Sequence, residues 1–529
     1  MLIGFVSDDR YVAIPEVSLL FENSRTYHAA RSLADGSVRV DLEQGTWKVT
    51  LNRPGYGARV VDVEIRDDHE PVHFRLLDDC LLGYAWPKYA KSGERSEFRV
   101  HSPEQYHLSL WRYGWEKELV RSIGWFDEHG PRATVQITPD GDYSQTGVEW
   151  NKFGYTSPHH KQYQTAPEKS GLYFFHAKGE SGAFFSFPWV VAPAEPTEPI
   201  AVLASDITWN AYNSFGGRSN YIHPDKLPPT PTVNSRLELK RYTDPDHHNY
   251  DTQDYAPLSF DRPEPINSIP EVTRVNDPIV GRTGCHLAAA EWRLLGWMER
   301  EGFGYDYYAE SQLHFGGLDL SRYKVLVIST HPEYWSQQMY ETVKNWVHNQ
   351  GGRLVYLGGN GLNCDVEFLD EKTCIYRNED DSVLSEPGTK FESRFHLRHE
   401  SESNLLGVVY DPRGIMTAAP YEVRDDSHWV FEGTNLQNGD QFGHESLHER
   451  IPGGASGHET DKISASSPPG TKLLAQGLNA DGGGADMSIY ETASGGATFA
   501  AGSITWPSSI LVDDAVSKIT SNVLRRFLK

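Results

Sequence analysis

The stretch from Lys324 to Trp335, K-V-L-V-I-S-T-H-P-E-Y-W, constrains the fold more than any other. Val325 to Ile328 is an unbroken apolar run, which fits a strand buried on both faces. Such a strand needs cover above and below, and helices are the usual cover in an α/β sheet. Pro332 cannot donate to a ladder and ends the strand. A helix-like segment follows over residues 336–349. In open α/β sheets, ligands bind just outside the carboxyl ends of strands. His331, Glu333 and Tyr334 therefore fall where chemistry is expected.

The same grammar extends over residues 196–529. Strands are expected at 200–204, 325–328, 353–357, 487–490 and 497–501, and helices at 287–302, 340–347 and 515–528. Their alternation predicts a mainly parallel sheet with helices on both faces. The region 375–485 reads as a polar, glycine-rich insertion. Upstream, Ala194-Glu195-Pro196-Thr197-Glu198-Pro199 is a proline-rich joint and marks a domain boundary. Residues 78–195 hold period-2 segments such as S-E-F-R-V-H-S, R-A-T-V-Q-I-T and G-L-Y-F-F-H-A, which predict an Ig-like β-sandwich. Residues 1–77 predict a small β-sandwich module, in which G-T-W-K-V-T-L-N-R-P-G-Y resembles the closing strands of prealbumin-like modules. Three domains suit 529 residues at roughly 100–200 residues each.

A net charge of −24 argues against a nucleic-acid backbone or an anionic membrane as partner. The first residues lack a basic segment and a long apolar core, so no signal peptide is expected. No run approaches the roughly 18 apolar residues of a membrane span. The four cysteines form no C-x-x-C pair, and the expectation is reduced thiols in a cytoplasmic protein.

Several motifs compete for the chemistry. His444-Glu445-Ser446-Leu447-His448 matches H-E-x-x-H, which binds zinc when a helix puts both imidazoles on one face. Glycines and Pro452 flank it here, so a solvated loop is the expected reading. No G-x-S-x-G elbow is present, and neither Ser329 nor Thr330 has a partner histidine at a supporting spacing. Gly358-Gly359-Asn360-Gly361 has the glycines of a phosphate loop without its other positions, which predicts a tight turn. Trp209-Asn210-Ala211-Tyr212-Asn213 is more distinctive, because Tyr212 and Glu333 both lie just beyond strand ends.

Five ordered blocks, W-N-A-Y-N-S-F-G-G-R-S, L-S-F-D-R-P, H-P-E-Y-W, Y-L-G-G-N-G and G-A-S-G-H-E-T-D, resemble the large subunit of N,N-dimethylformamidase over residues 196–529. The resemblance implies a C-terminal domain like the class I glutamine amidotransferase (flavodoxin-like) fold, without its cysteine. It implies a mononuclear Fe(III) held by Tyr212, Tyr255 and Glu333, with Tyr250 as the alternative second tyrosine. It also implies His331, Asn360 and Glu459 as catalytic groups. The expected activity is hydrolysis of a small N-substituted amide to carboxylate and amine. The expected assembly is a homo-oligomer or a pairing with a separate small subunit. Phenolate and carboxylate are hard oxygen donors and suit a hard, highly charged ion. The rival reading is a non-catalytic glycan- or protein-binding protein with a degenerate amidotransferase-like domain.

Overall fold

The computed structural model describes residues 1–126, 162–221, 227–233, 257–278, 284–378 and 391–529. Tyr250 and Tyr255 lie outside the described residues, as does the expected strand R-A-T-V-Q-I-T.

The chain begins with two small sheets. Leu2–Ser7 lies between Ser37–Arg39 and Val72–Arg75, while Tyr27–Arg31, Ser18–Glu22, Gly45–Asn52 and Arg59–Ile65 pair in that order. Strict alternation drives the packing. Trp47, Val49 and Leu51 are fully buried while Thr46, Lys48 and Asn52 face solvent. Next come a three-stranded sheet and a five-stranded antiparallel-rich sheet, with Phe98, Phe175, Phe187 and Trp189 in the core between them. The outer face of this second unit is also covered. Tyr113, Leu172 and Phe174 share a core with the C-terminal part, where Tyr113 packs on Trp292 and Trp292 donates to the Gly114 carbonyl.

The C-terminal part is built on one nine-stranded sheet. Its strands in chain order are β1 (Ile200–Ala204), β2 (Asp306–Ala309), β3 (Val325–Thr330), β4 (Arg353–Gly358), β5 (Tyr421–Val423), β6 (Gln441–Phe442), β7 (Lys472–Gly477), β8 (Asp486–Glu491) and β9 (Ala497–Ala500). In space they run β2-β1-β3-β4-β9-β8-β7-β5-β6. The pairs from β2 to β9 are parallel and those from β9 to β6 antiparallel. The sheet is thus mixed rather than mainly parallel. The polar region after residue 391 supplies β5, β6 and β7, extending the sheet. Its strands alternate instead of forming apolar runs, because antiparallel strands can leave one face wet.

Four helices matter here: α1 (Asp206–Tyr212), α2 (Ala288–Arg300), α3 (Gln337–Gln350) and α4 (Asp514–Leu528). Ser336 caps α3 by accepting from the Met339 N–H, and Gly351 ends it at φ +79°. All six residues of β3 are buried. No helix among the described residues is long and apolar enough to cross a membrane.

Candidate functional site

β1 lies between β2 and β3, so the chain leaves it to one side and returns to the other. The carboxyl ends of β1 and β3 flank that reversal, the place where open α/β sheets form a crevice. Helix α1 follows β1 at once and ends on Tyr212. The turn after β3 carries His331 and Glu333. It is pinned by hydrogen bonds from the Leu362 and Cys364 amides to the Pro332 and Glu333 carbonyls, at 2.7 and 3.1 Å. The Glu333 amide in turn donates to Thr208 Oγ1 on α1 at 3.1 Å.

Three side chains converge on one oxygen. Glu333 Oε2 accepts from Tyr212 at 3.0 Å and from Tyr221 at 2.9 Å, and lies 2.9 Å from His331 Nε2. Tyr221 also meets the Tyr334 hydroxyl at 2.7 Å, and Asn220 Nδ2 donates to that hydroxyl at 2.8 Å. Glu333, His331 and Tyr334 are buried. Burial pushes the Glu333 carboxyl upward, but the adjacent His331 and the Tyr221 hydroxyl outweigh it, and the group stays below its ordinary value. The Tyr221 phenol moves well above its usual value through burial and the Glu333 charge.

His331 Nδ1 lies 3.1 Å from the Gly359 carbonyl, which can only accept. Nδ1 therefore carries a proton, and Nε2 faces the site. Burial disfavours the imidazolium, but Glu333 and Glu459 prevail and raise the imidazole to about 9.

The second half of the site comes from the end of β4 and from residues 457–461. Asn360 Nδ2 donates to Glu459 Oε2 at 2.8 Å, and the Asn360 amide donates to Asp461 Oδ1 at 2.8 Å. Glu459 Oε2 lies 3.7 Å from His331 Nε2. Burial, helped by Glu459, pushes Asp461 up to about 7. The glycines of Y-L-G-G-N-G serve this approach and hold no phosphate-loop geometry. A Cβ on Gly359 would sit 2.3 Å from the Glu459 carbonyl oxygen. An aromatic wall completes the site. His286 packs on Tyr212, His331 and His458 with ring centroids 4.6, 5.6 and 5.4 Å away.

Of the residues expected from sequence, Tyr212, His331, Glu333, Asn360 and Glu459 come together. Tyr255 lies outside the described residues. Tyr221, His286, His458 and Asp461 join the site without having been singled out. The order H-P-E-Y-W could have pointed to Tyr334 as a partner for a second phenol, but nothing local in the sequence marks Tyr221. The H-E-x-x-H segment is not helical. His444 is exposed, whereas His448 is buried with its Nε2 3.1 Å from His458 Nδ1. Among the described residues no three His, Cys, Asp or Glu side chains group as a metal site.

Fold and site together define a multidomain, mostly β protein whose sheet edge carries a buried cluster of phenols, imidazoles and carboxylates. The family model described as "N,N-dimethylformamidase beta subunit-like, C-terminal" matches residues 107–518, and the chain belongs to that family. It is 28% identical over 285 residues to an N,N-dimethylformamidase beta subunit from Alcaligenes sp, covering 45% of this chain and 37% of that protein. It is 27% identical over 285 residues to the beta subunit of the same name from Paracoccus aminophilus, with the same coverages of 45% and 37%. The match thus spans well under half the length of either relative. A DUF3823 family protein from Bacteroides ovatus matches 34% of this chain and 92% of its own at 10% identity, but its TM-score of 0.13 carries no argument.

Proposed function

We propose that the chain is an amide hydrolase that cleaves a small N-substituted amide, of the kind named in its relatives, to a carboxylate and an amine. The observation that carries this reading is the convergence of Tyr212, Tyr221 and His331 on Glu333 Oε2, with Glu459 beside them. The donor set fits Fe(III). Two phenols beside one carboxylate are hard oxygen donors, and a buried phenol loses its proton near neutral pH only beside a strong cation. Tyr212, Glu333 and a second tyrosine would hold the ion. Tyr255 is the second tyrosine by family resemblance, and Tyr221 is the one that the described residues bring there. When bound, the metal would polarise the amide carbonyl and acidify water.

The remaining steps belong to protein groups. Asn360 holds the Glu459 carboxylate, which takes the proton from the attacking water. The second N–H of the Asn360 amide would support the tetrahedral oxyanion. His331 Nε2, with its tautomer set by Gly359, returns a proton to the departing nitrogen, since an amine anion leaves poorly. Tyr212, Tyr221 and His286 pack ring to ring at 4.4 and 4.6 Å, and aromatic surroundings suit a weakly polar substrate.

The parallel strand order, with β2 at one edge and β1 next to it, supports an amidotransferase-like, flavodoxin-like reading of residues 196–529. Residues 1–77 and 78–195 then form two β-domains. The relatives' description as beta subunits supports assembly with further subunits, either copies of this chain or a separate small one. We place the protein in the cytoplasm on its cysteine usage.

The test is iron quantification on purified protein, followed by an amine-release screen over N-substituted amides. About one iron per chain, coloured by tyrosinate-to-iron charge transfer, is expected. Glu333→Ala should abolish it. A colourless, iron-free and fully active preparation would end this reading, and an inert, iron-free one would favour the non-catalytic alternative.

A further inference from the structure

Residues 213–220 form a loop with Tyr212 at its entrance and Tyr221 at its exit. The Asn220 N–H closes it by donating to the Ala211 carbonyl at 2.8 Å. Gly216 and Gly217 both sit at φ +90°, so the loop's own backbone preferences do little to fix its shape. Its carbonyl groups are held instead by two buried arginines from elsewhere in the chain.

Arg262 is fully buried, and each of its five N–H groups has an acceptor. Nη1 donates to the Phe215 and Arg218 carbonyls at 2.8 and 3.0 Å. Nη2 donates to the Asn210 carbonyl and to Asn210 Oδ1, both at 3.1 Å. Nε donates to the Ser259 carbonyl at 2.9 Å. The Asn210 carbonyl belongs to the last turn of α1, where it also accepts from the Asn213 N–H at 3.2 Å and where the exposed carbonyl ends favour a cation. A guanidinium held only by carbonyl and amide oxygens is costly to bury. Its fork nevertheless matches five acceptors that the three donors of a lysine could not reach.

The second grip comes from the first β unit. Arg75, also fully buried, donates from Nη1 to the Gly217 carbonyl at 3.0 Å. The residue next to Arg262 is seated from outside as well. Asp261 Oδ1 accepts from both Arg99 and Tyr84 of the second β unit.

We propose that Arg262 is the positioning residue that sets Tyr212 and Tyr221 against Glu333, with Arg75 as its partner across the domain boundary. The proposal rests on the reading that these phenols serve a metal site. It gives the N-terminal β units a role in that site, although none of their described residues contributes a side chain to it.

The test uses the full chain with R262K, R262A and R75A. Backbone hydrogen exchange is measured on metal-free protein, then iron binding and the visible absorption band on loaded protein. We expect amides 214–221 to exchange at least tenfold faster in R262K and R262A, and severalfold faster in R75A. Amides of Gly45–Asn52 should keep their rates. Iron affinity should fall at least tenfold in the Arg262 variants, with a shifted charge-transfer band on what remains bound. A purely structural role would lower the melting temperature and leave the band of bound iron in place. Unchanged exchange over 214–221 in R262K and R75A overturns the proposal, as does an unshifted band with wild-type affinity. Should R262A fail to fold, R262K and R75A decide. If wild-type protein takes up no iron, the metal reading fails, and the exchange measurements still decide the positioning claim.

Discussion

Glu459→Gln separates a base from a ligand. Glutamine matches glutamate in volume, and its Oε1 can accept the Asn360 hydrogen bond that Glu459 Oε2 now accepts at 2.8 Å. The substitution removes the negative charge and with it the capacity to take a proton. Loss of a positioned general base costs roughly 10²- to 10⁴-fold in rate. We expect kcat to fall about 10³-fold, or about 4 kcal/mol at 1.36 kcal/mol per decade, with KM nearly unchanged. Stability should change little, because the Glu459 charge both repels Asp461, helping to push it up to about 7, and attracts His331, and glutamine removes both effects. Steady-state amine release, iron content and thermal melting measure the three quantities. A fall in kcat of less than tenfold would show that Glu459 is not the base. Loss of iron would show that it is a ligand, and either result refutes the assignment.

The second tyrosine is decided by a pair of variants: whichever of Y221F and Y255F loses the charge-transfer band supplies the ligand, while the other should retain iron. Gly359→Ala should displace Glu459, since its Cβ would lie 2.3 Å from the Glu459 carbonyl oxygen; overpacking of this kind costs about 1–3 kcal/mol, visible as lower stability in urea melts and reduced turnover. Against the opposing slope of the buried His176 and His448, each lowered to about 3, Glu402 contributes stability that is lost as pH rises from 4.5 to 8, because burial lifts its carboxyl from 4.5 to about 8 and the folded state holds a proton there that the unfolded chain has lost. Glu291, at about 7, and Asp206, at about 6, add to the same slope. Glu402→Gln should make the urea midpoint fall less between pH 5 and pH 8, and an unchanged slope would show that Glu402 is ionised in the folded protein.

What could be read from the sequence was local. Strand β3 announces itself through the unbroken apolar run Val325–Ile328, and the structure extends it to Thr330 with all six residues buried. Helix α3 announces itself through its Ser336 cap and Gly351 stop. Strand β2, D-Y-Y-A, has no apolar run and pairs with β1 a hundred positions away, so only the finished sheet defines it. β5 and β6 are two or three residues long and leave almost no periodicity to detect. The site divides in the same way. Glu333 sits just after a strand and Tyr212 ends the short helix that follows one, so position alone suggests function. Tyr221 arrives through an aperiodic glycine loop, and its partner Tyr334 lies 113 positions on. The H-E-x-x-H spacing misleads because its meaning depends on a helix, and residues 443–448 form none.

Backbone strain ties these pieces to one another. Thr330, Asn360 and His458 all have positive φ, at +64°, +51° and +64°. A non-glycine residue there costs about 1–2 kcal/mol relative to a right-handed conformation. Each lies at a point where the chain must turn a functional group inward. Thr330 ends β3 just before His331, Asn360 follows the end of β4 and reaches Glu459, and His458 immediately precedes Glu459. Leu362, at φ +56°, adds a fourth positive φ in the turn after β4, where its N–H donates to the Pro332 carbonyl at 2.7 Å. Strain of this kind persists only where surrounding contacts over-determine it. Those contacts are present, because Gly359 gives up its side chain to let the Glu459 backbone approach, and Asp461 fixes the Asn360 amide. The opposite wall, carrying Tyr212 and Tyr221, is unstrained apart from its glycines and is held by arginines instead. The site therefore joins a rigid half built by the sheet, which holds His331, Glu333, Asn360 and Glu459, to a clamped half whose geometry depends on Arg262 and on the N-terminal β units.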